Sequence, residues 1–174
     1  MRIRPVLTAL ATLFSMPLLA ACPQARPPAP PAAPVDLASP GMTAARKSFE
    51  CAAPVDVSAL HAAAKKNGKQ WYETPPGFTV FGFPATDLGV TPPPTADSET
   101  FASVRASPDA VLAAVRSAIP DARASSPGHP DNPALTGANY YYITWGAAAS
   151  GDRANRMTLE GEGPETYVIC HMPW

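Results

Sequence analysis

Apolar and polar positions change period several times along this chain, and each change predicts an element. From Val6 to Ala21 almost every residue is apolar or small, broken by Thr8, Thr12, Ser15 and Pro17. That run is shorter than the about 20 apolar residues of a membrane-spanning helix. Between Val57 and Asn67 the helical spacing places Val57, Leu60, Ala63 and Ala64 on one side. Asp56 would cap that helix, Lys65 and Lys66 would sit at its negative end, and Gly68 would follow it. His61 falls on its solvent side. After the turn Pro75-Pro76-Gly77, residues Phe78 to Phe83 alternate as a strand, and Pro84 limits its continuation. Pro92-Pro93-Pro94 marks a loop. Thr100 to Ala106 reads as a second strand.

A second helix has the clearest start. Ser107 is an N-cap, Pro108 takes the first helical position, and Asp109 lies in the first turn. Val111, Leu112, Val115, Ala118 and Ile119 form its apolar stripe, and Pro120 ends it. Asp121 to Ala138 is a long loop rich in Pro, Gly, Ser and Asn. Tyr140–Ala147, Arg156–Glu160 and Thr166–Met172 then alternate as three strands. The short links Ser150-Gly151-Asp152 and Gly161-Glu162-Gly163-Pro164 imply an antiparallel meander. The predicted order is α-β-β-α-β-β-β: an α+β domain over residues 46–174, with about five mainly antiparallel strands and two helices on one side. No internal repeat is visible.

The apolar run opens with Arg2 and Arg4 and closes on Leu19-Ala20-Ala21-Cys22. A basic start, a short apolar core, small residues and then cysteine resemble the lipobox leader of bacterial lipoproteins. The resemblance implies cleavage before Cys22, leaving residues 1–21 as signal peptide. It also implies diacylglycerol on the Cys22 thiol and a third acyl chain on the new amino group. Two or more chains anchor stably, at about 0.8 kcal/mol per buried methylene. Pro23, where an Asp would signal inner-membrane retention, implies an outer-membrane lipoprotein facing the periplasm.

Composition adds a tether. Of 23 prolines, seven lie from Cys22 through Pro40. Proline fixes φ and lacks a backbone donor, so residues 22–45 are expected to be an extended polyproline-II-like spacer. Removing Arg2 and Arg4 leaves 11 basic against 14 acidic residues, a net of −3. That balance excludes a nucleic-acid binder, which needs clustered basic residues.

With Cys22 consumed by lipid, Cys51 and Cys170 remain at the two ends of the domain. Outside the cytoplasm such a pair predicts a disulfide. The rival reading, a reactive thiol, needs a basic and partly exposed setting. Val168 and Met172 around Cys170 point instead to burial, and His171 would face the other side of the strand.

Few residues are candidates for chemistry. No G-x-S-x-G, Ser-x-x-Lys or H-E-x-x-H motif is present, and no glycine-rich phosphate loop. Neither a metal nor a cofactor is expected. His129 and Asp131, in Gly128-His129-Pro130-Asp131-Asn132, form the one polar cluster of ligand types. Tyr140, Tyr142 and Trp145 crowd one strand, and such aromatics anchor interfaces and stack on sugars. Tyr140 and Tyr142 share one face; Tyr141, Ile143 and Trp145 share the other. The expectation is therefore a lipid-anchored, non-catalytic binding or assembly module. Its partners would be the membrane, through Cys22, and another envelope protein. An inhibitor or immunity lipoprotein facing a toxin or secreted lytic hydrolase is the alternative, and a cell-wall enzyme a weaker one.

Replacing Cys22 with Ala should release the protein from the membrane fraction of cells. A variant that still pellets with membranes would overturn the lipid anchor.

Overall fold

The architecture follows from where each apolar stripe finds cover. The computed structural model describes residues 34–60, 62–66, 68–91, 97–146 and 155–173. The expected signal peptide over residues 1–21, Cys22, the expected tether as far as residue 33, His61, the Pro92-Pro93-Pro94 loop and the Ser150-Gly151-Asp152 link lie outside the described residues. The elements are α1 (Pro40–Phe49), β1 (Ala62–Lys66), β2 (Lys69–Tyr72), β3 (Thr79–Val80), β4 (Phe83–Val90), β5 (Asp97–Val104), α2 (Pro108–Ala118), β6 (Arg123–Ser125), β7 (Tyr140–Trp145), β8 (Asn155–Glu162) and β9 (Glu165–Pro173). The fold is α+β with two helices, as expected. Its sheet has eight strands, in place of about five, in the order β1-β2-β4-β5-β9-β8-β7-β6. Every neighbouring pair is antiparallel, and the short β3 pairs with β4 off this path.

Several local expectations are corrected. The extended segment expected over residues 22–45 does not reach residue 45, because Pro40–Phe49 is helical. Ser39 Oγ accepts the Met42 N–H at 3.4 Å, Pro40 opens the helix, and Met42, Ala45 and Phe49 enter the core. The same Ser-Pro start builds α2, where Ser107 Oγ accepts the Ala110 N–H at 3.3 Å. The helix predicted over Val57–Asn67 does not form. Asp56 Oδ1 instead accepts from the N–H and hydroxyl of Ser58, two residues on, closing a turn. Ala62–Lys66 is extended and pairs with Lys69–Tyr72. Gly68, at φ +72°, serves this hairpin rather than a helix end. Phe78–Phe83 is not one strand: Phe81 and Gly82 both have positive φ and turn β3 into β4, with the Phe81 N–H donated to Glu50 Oε1 at 2.8 Å.

The topology contains a repeat that the sequence did not reveal. Each half is a helix followed by four strands of the main sheet, and the last strands, β5 and β9, meet at the centre. Ser39 and Ser107 are as far apart in sequence as Asp97 and Glu165, the first residues of β5 and β9. Equivalent positions carry different residues, Thr100 for Val168 and Ala102 for Cys170, yet all four are buried. Apart from the shared Ser-Pro helix starts, the repetition is one of backbone and burial rather than of residue identity.

Both helices cover the same sheet face and share one core with it. Met42 and Phe49 from α1 and Val111 and Val115 from α2 meet Leu88, Val104, Ile143, Met157, Leu159 and Val168. Phe49 packs edge-on against Phe78, ring centres 6.3 Å apart. Ser48 is fully buried at the end of α1. Its hydroxyl donates to the Pro54 carbonyl at 2.9 Å and accepts the Asp56 N–H at 2.8 Å, and its carbonyl accepts from Thr100 Oγ1 at 3.0 Å. Buried polar groups without such partners would each cost about 1–3 kcal/mol.

The expected disulfide is present between Cys51 and Cys170, Cα atoms 5.5 Å apart, across 119 residues. It fastens the second residue after α1 to the middle of β9. Loss of such a bridge from a small domain costs about 2–5 kcal/mol. The double variant Cys51→Ala/Cys170→Ala should therefore show a clearly lowered urea midpoint; an unchanged midpoint would contradict this role.

Candidate binding cleft on the open face of the sheet

Strand alternation sends one set of side chains to the core and the other to the face that no helix covers. On β7, Ile143 is fully buried, with Tyr141 and Trp145 packed against the same core. The Tyr141 hydroxyl bonds to the Asp109 carboxylate of α2, which pushes the phenol pKa up. Trp145 thus stands on the helix side and does not join Tyr140 and Tyr142, which face the other way. The strand alternation read from the sequence already set Trp145 on the opposite face from the two tyrosines, and of the candidate residues named there Trp145 alone does not line the cleft described below.

The ladder registers align the open face into rows across the sheet. One row runs Glu99, His171, Arg156 and Thr144. The next runs Trp71, Gly89, Phe101, Ile169, Thr158 and Tyr142. A third runs Asp87, Ser103, Tyr167, Glu160 and Tyr140. At one side of the middle row the far edge of the Phe101 ring sits over Gly89, where any Cβ would collide with it. Trp71 meets that ring edge-on at 4.4 Å and Lys69 Nζ stands 4.4 Å from its centre.

At the other side the 121–138 segment folds back over the tyrosines. The structure makes its start β6, paired with β7, and its end a short 3-10 turn over Gly137–Asn139. Between them, the His129 ring packs edge-on against Tyr140, centres 5.1 Å apart, and leaves Tyr140 only 4% exposed. His129 Nδ1 accepts the Asp131 backbone N–H at 3.0 Å, and Nε2 lies 3.2 Å from Glu160 Oε1. Only a neutral imidazole with its proton on Nε2 satisfies both contacts at once. His129 and Asp131 are therefore neighbours through a backbone group, not through two side-chain ligands. Among the described residues, no group of three or more His, Cys, Asp or Glu side chains gathers as a metal site would.

Loop and sheet enclose a cleft of about 500 Å³, lined by Glu99, His129, Pro130, Asp131, Tyr140, Tyr142, Arg156, Thr158, Glu160, Ile169 and His171. That is within the about 300–1,000 Å³ typical of small-ligand pockets. A second groove of about 420 Å³ opens beyond Glu160, between Asn132, Leu135, Glu162 and Tyr167. Four of the five sequence candidates, His129, Asp131, Tyr140 and Tyr142, come together here. The sequence reading missed Glu99, Arg156, Thr158, Glu160, Ile169 and His171. Their alternation with buried Met157, Leu159, Val168 and Cys170 was a usable signal, but gathering them needed the β5-β9-β8-β7 order.

His171 Nδ1 and Glu99 Oε1 are 2.8 Å apart on paired strands. This hydrogen bond holds the Glu99 carboxyl below its ordinary value of 4.5, outweighing the burial that would raise it; the charges of His171, Lys69 and Arg156 add to the lowering. Tyr140 is shifted up, first by burial and then by the Glu160 charge. Comparison with protein families, curated proteins and solved structures finds no match for this chain.

A carboxylate with a lowered folded-state pKa contributes stability that is present above its unfolded value and is lost as pH falls through the folded one. The Glu99–His171 contribution should therefore fade below about pH 4.5. Between about pH 5 and about pH 3 the native protein should lose more stability than Glu99→Gln, read as the shift in urea midpoint. Parallel profiles would contradict the assignment.

Proposed function

We propose that this protein is a lipid-anchored lipoprotein of the cell envelope whose folded domain binds a partner or ligand through the open face of its sheet. One observation carries the reading: the 126–136 loop spans that face and walls a cleft over Tyr140 and Tyr142, while both helices are spent on the opposite face. A sheet face with aromatic and charged rows, partly roofed by its own loop, is a recognition surface with anchors already ordered. The lipobox and proline-rich segment support delivery of that surface to the envelope at some distance from the lipid.

The binding role is non-catalytic in this reading. One arrangement favours a second: His171, held by Glu99 through Nδ1, has the orientation of an imidazole general base. The cleft lining includes no serine, cysteine or lysine that such a base could activate. The Thr158 hydroxyl in that lining is directed to Glu160 Oε1 at 3.5 Å rather than to His171, so binding is preferred.

A photo-cross-linking residue at position 142, in the native envelope, should give a discrete adduct. The same residue at position 113, exposed on α2, should not. No adduct at 142, or equal adducts at both positions, would overturn the open face as the binding surface.

A further inference from the structure

The cleft is polar at both ends, and the ends differ in sign. Arg156, Thr158 and Glu160 stand on the same face of β8 and all line it. Arg156 and Glu160 are four residues apart, which puts their Cα atoms about 13 Å apart along the strand. Around Glu160 the loop adds Asp131 to the lining; His129 Nε2 and Thr158 Oγ1 both meet Glu160 Oε1, at 3.2 and 3.5 Å, which leaves Oε2 for a ligand. Beyond Glu160 the adjoining groove is lined by Glu162, so the anionic character continues. At the opposite end Arg156 sits in the row of His171 and Glu99. Glu99 is engaged by His171, and no carboxylate among the described residues is within ion-pair distance of Arg156. The guanidinium fork can therefore take a carboxylate through two parallel hydrogen bonds. Between the ends the floor is Thr158, Ile169 and Tyr142: two hydroxyls and an aliphatic side chain.

We infer that the cleft takes the free ends of a short extended peptide, three or four residues long, lying antiparallel to β8. Its ammonium group meets Glu160 and Asp131, and its terminal carboxylate meets Arg156. The length follows from the charge separation. An extended chain spans at most about 3.3–3.6 Å per residue, so four residues cover about 13–14 Å and three cover it with the reach of Arg and Glu side chains. Two residues fall short. The floor supplies hydroxyls for peptide groups and room for small side chains, whereas a larger aromatic would meet the His129–Tyr140 wall. This inference rests on the binding reading above and narrows it to one ligand chemistry.

Calorimetric titration of the folded, disulfide-bonded domain with tri-alanine and tetra-alanine tests it. Binding is expected for both and not for di-alanine. N-acetylation and C-amidation should each weaken binding at least about tenfold, because each removes one charge-assisted contact. Glu160→Gln should lose the preference for the free amine and keep the preference for the free carboxylate. Arg156→Gln should do the reverse, with unchanged thermal melts showing that both variants fold. No binding of the free peptides, or capped peptides binding as well as free ones, would overturn the proposal. So would sensitivity to acetylation alone, which would mark an amine site. If the peptides fail while position 142 still cross-links to a partner, the peptide assignment falls and the binding reading stands. If both fail, the open face itself is wrong.

Discussion

The pairing of β5 with β9 is the contact on which the rest of the molecule depends. Their first residues, Asp97 and Glu165, are 68 residues apart in the chain, and the strands pair from Asp97–Pro173 to Val104–Thr166. They join the last strand of one half to the last strand of the other. Without that ladder each half is a helix on four strands with an open edge, a poor burial arrangement for so few residues. The Cys51–Cys170 bridge ties the same seam to the end of α1, and the buried Thr100–Ser48 hydrogen bond ties it again. Long-range pairing of this kind must overcome loop-closure entropy before it stabilises anything. A covalent tie shrinks that cost by restricting the unfolded chain.

The seam also decides where function can reside. Because α1 and α2 belong to equivalent halves, they fall on the same face of the joined sheet and cover it together. The other face has no helix left to cover it. It is managed locally: Phe101 is shielded by Trp71 and Lys69 on one side, and Tyr140 by His129 on the other. The His129 contacts show how a loop can be held without a core of its own. One imidazole links a backbone N–H of the loop to a carboxylate of the sheet, and its ring covers an aromatic beneath.

The legible parts of the fold were those written in local chemistry. Ser107-Pro108 announces α2 because the cap and the fixed φ act within one turn. The β7-β8-β9 meander was legible because its alternation is regular and its links are short. Alanine-rich Val57–Lys66 misled, since a favourable helix propensity is a weak preference that pairing with β2 overrides. β4 was hidden by Pro84, Asp87 and Gly89, all poor strand formers. Pro84 sits at the strand start, and Gly89 is required by the far edge of the Phe101 ring over it. The α1 helix was masked by the proline run before it.

The sequence by itself determined the lipobox resemblance and the α+β class. It also determined the cysteine pairing that the structure contains and the facing of Tyr140 and Tyr142 away from Ile143. Each of these depends on residue type and spacing within a few positions, or on counting. Only the tertiary structure decided that β9 returns to β5, that the halves repeat, and that Glu99, His171, Arg156 and Glu160 meet beneath the His129 loop. Those groups come from three strands and a loop far apart in the chain. What brings them together is the order of strands in the sheet, and that order is set by which long-range pairing buries both helices' apolar faces at once.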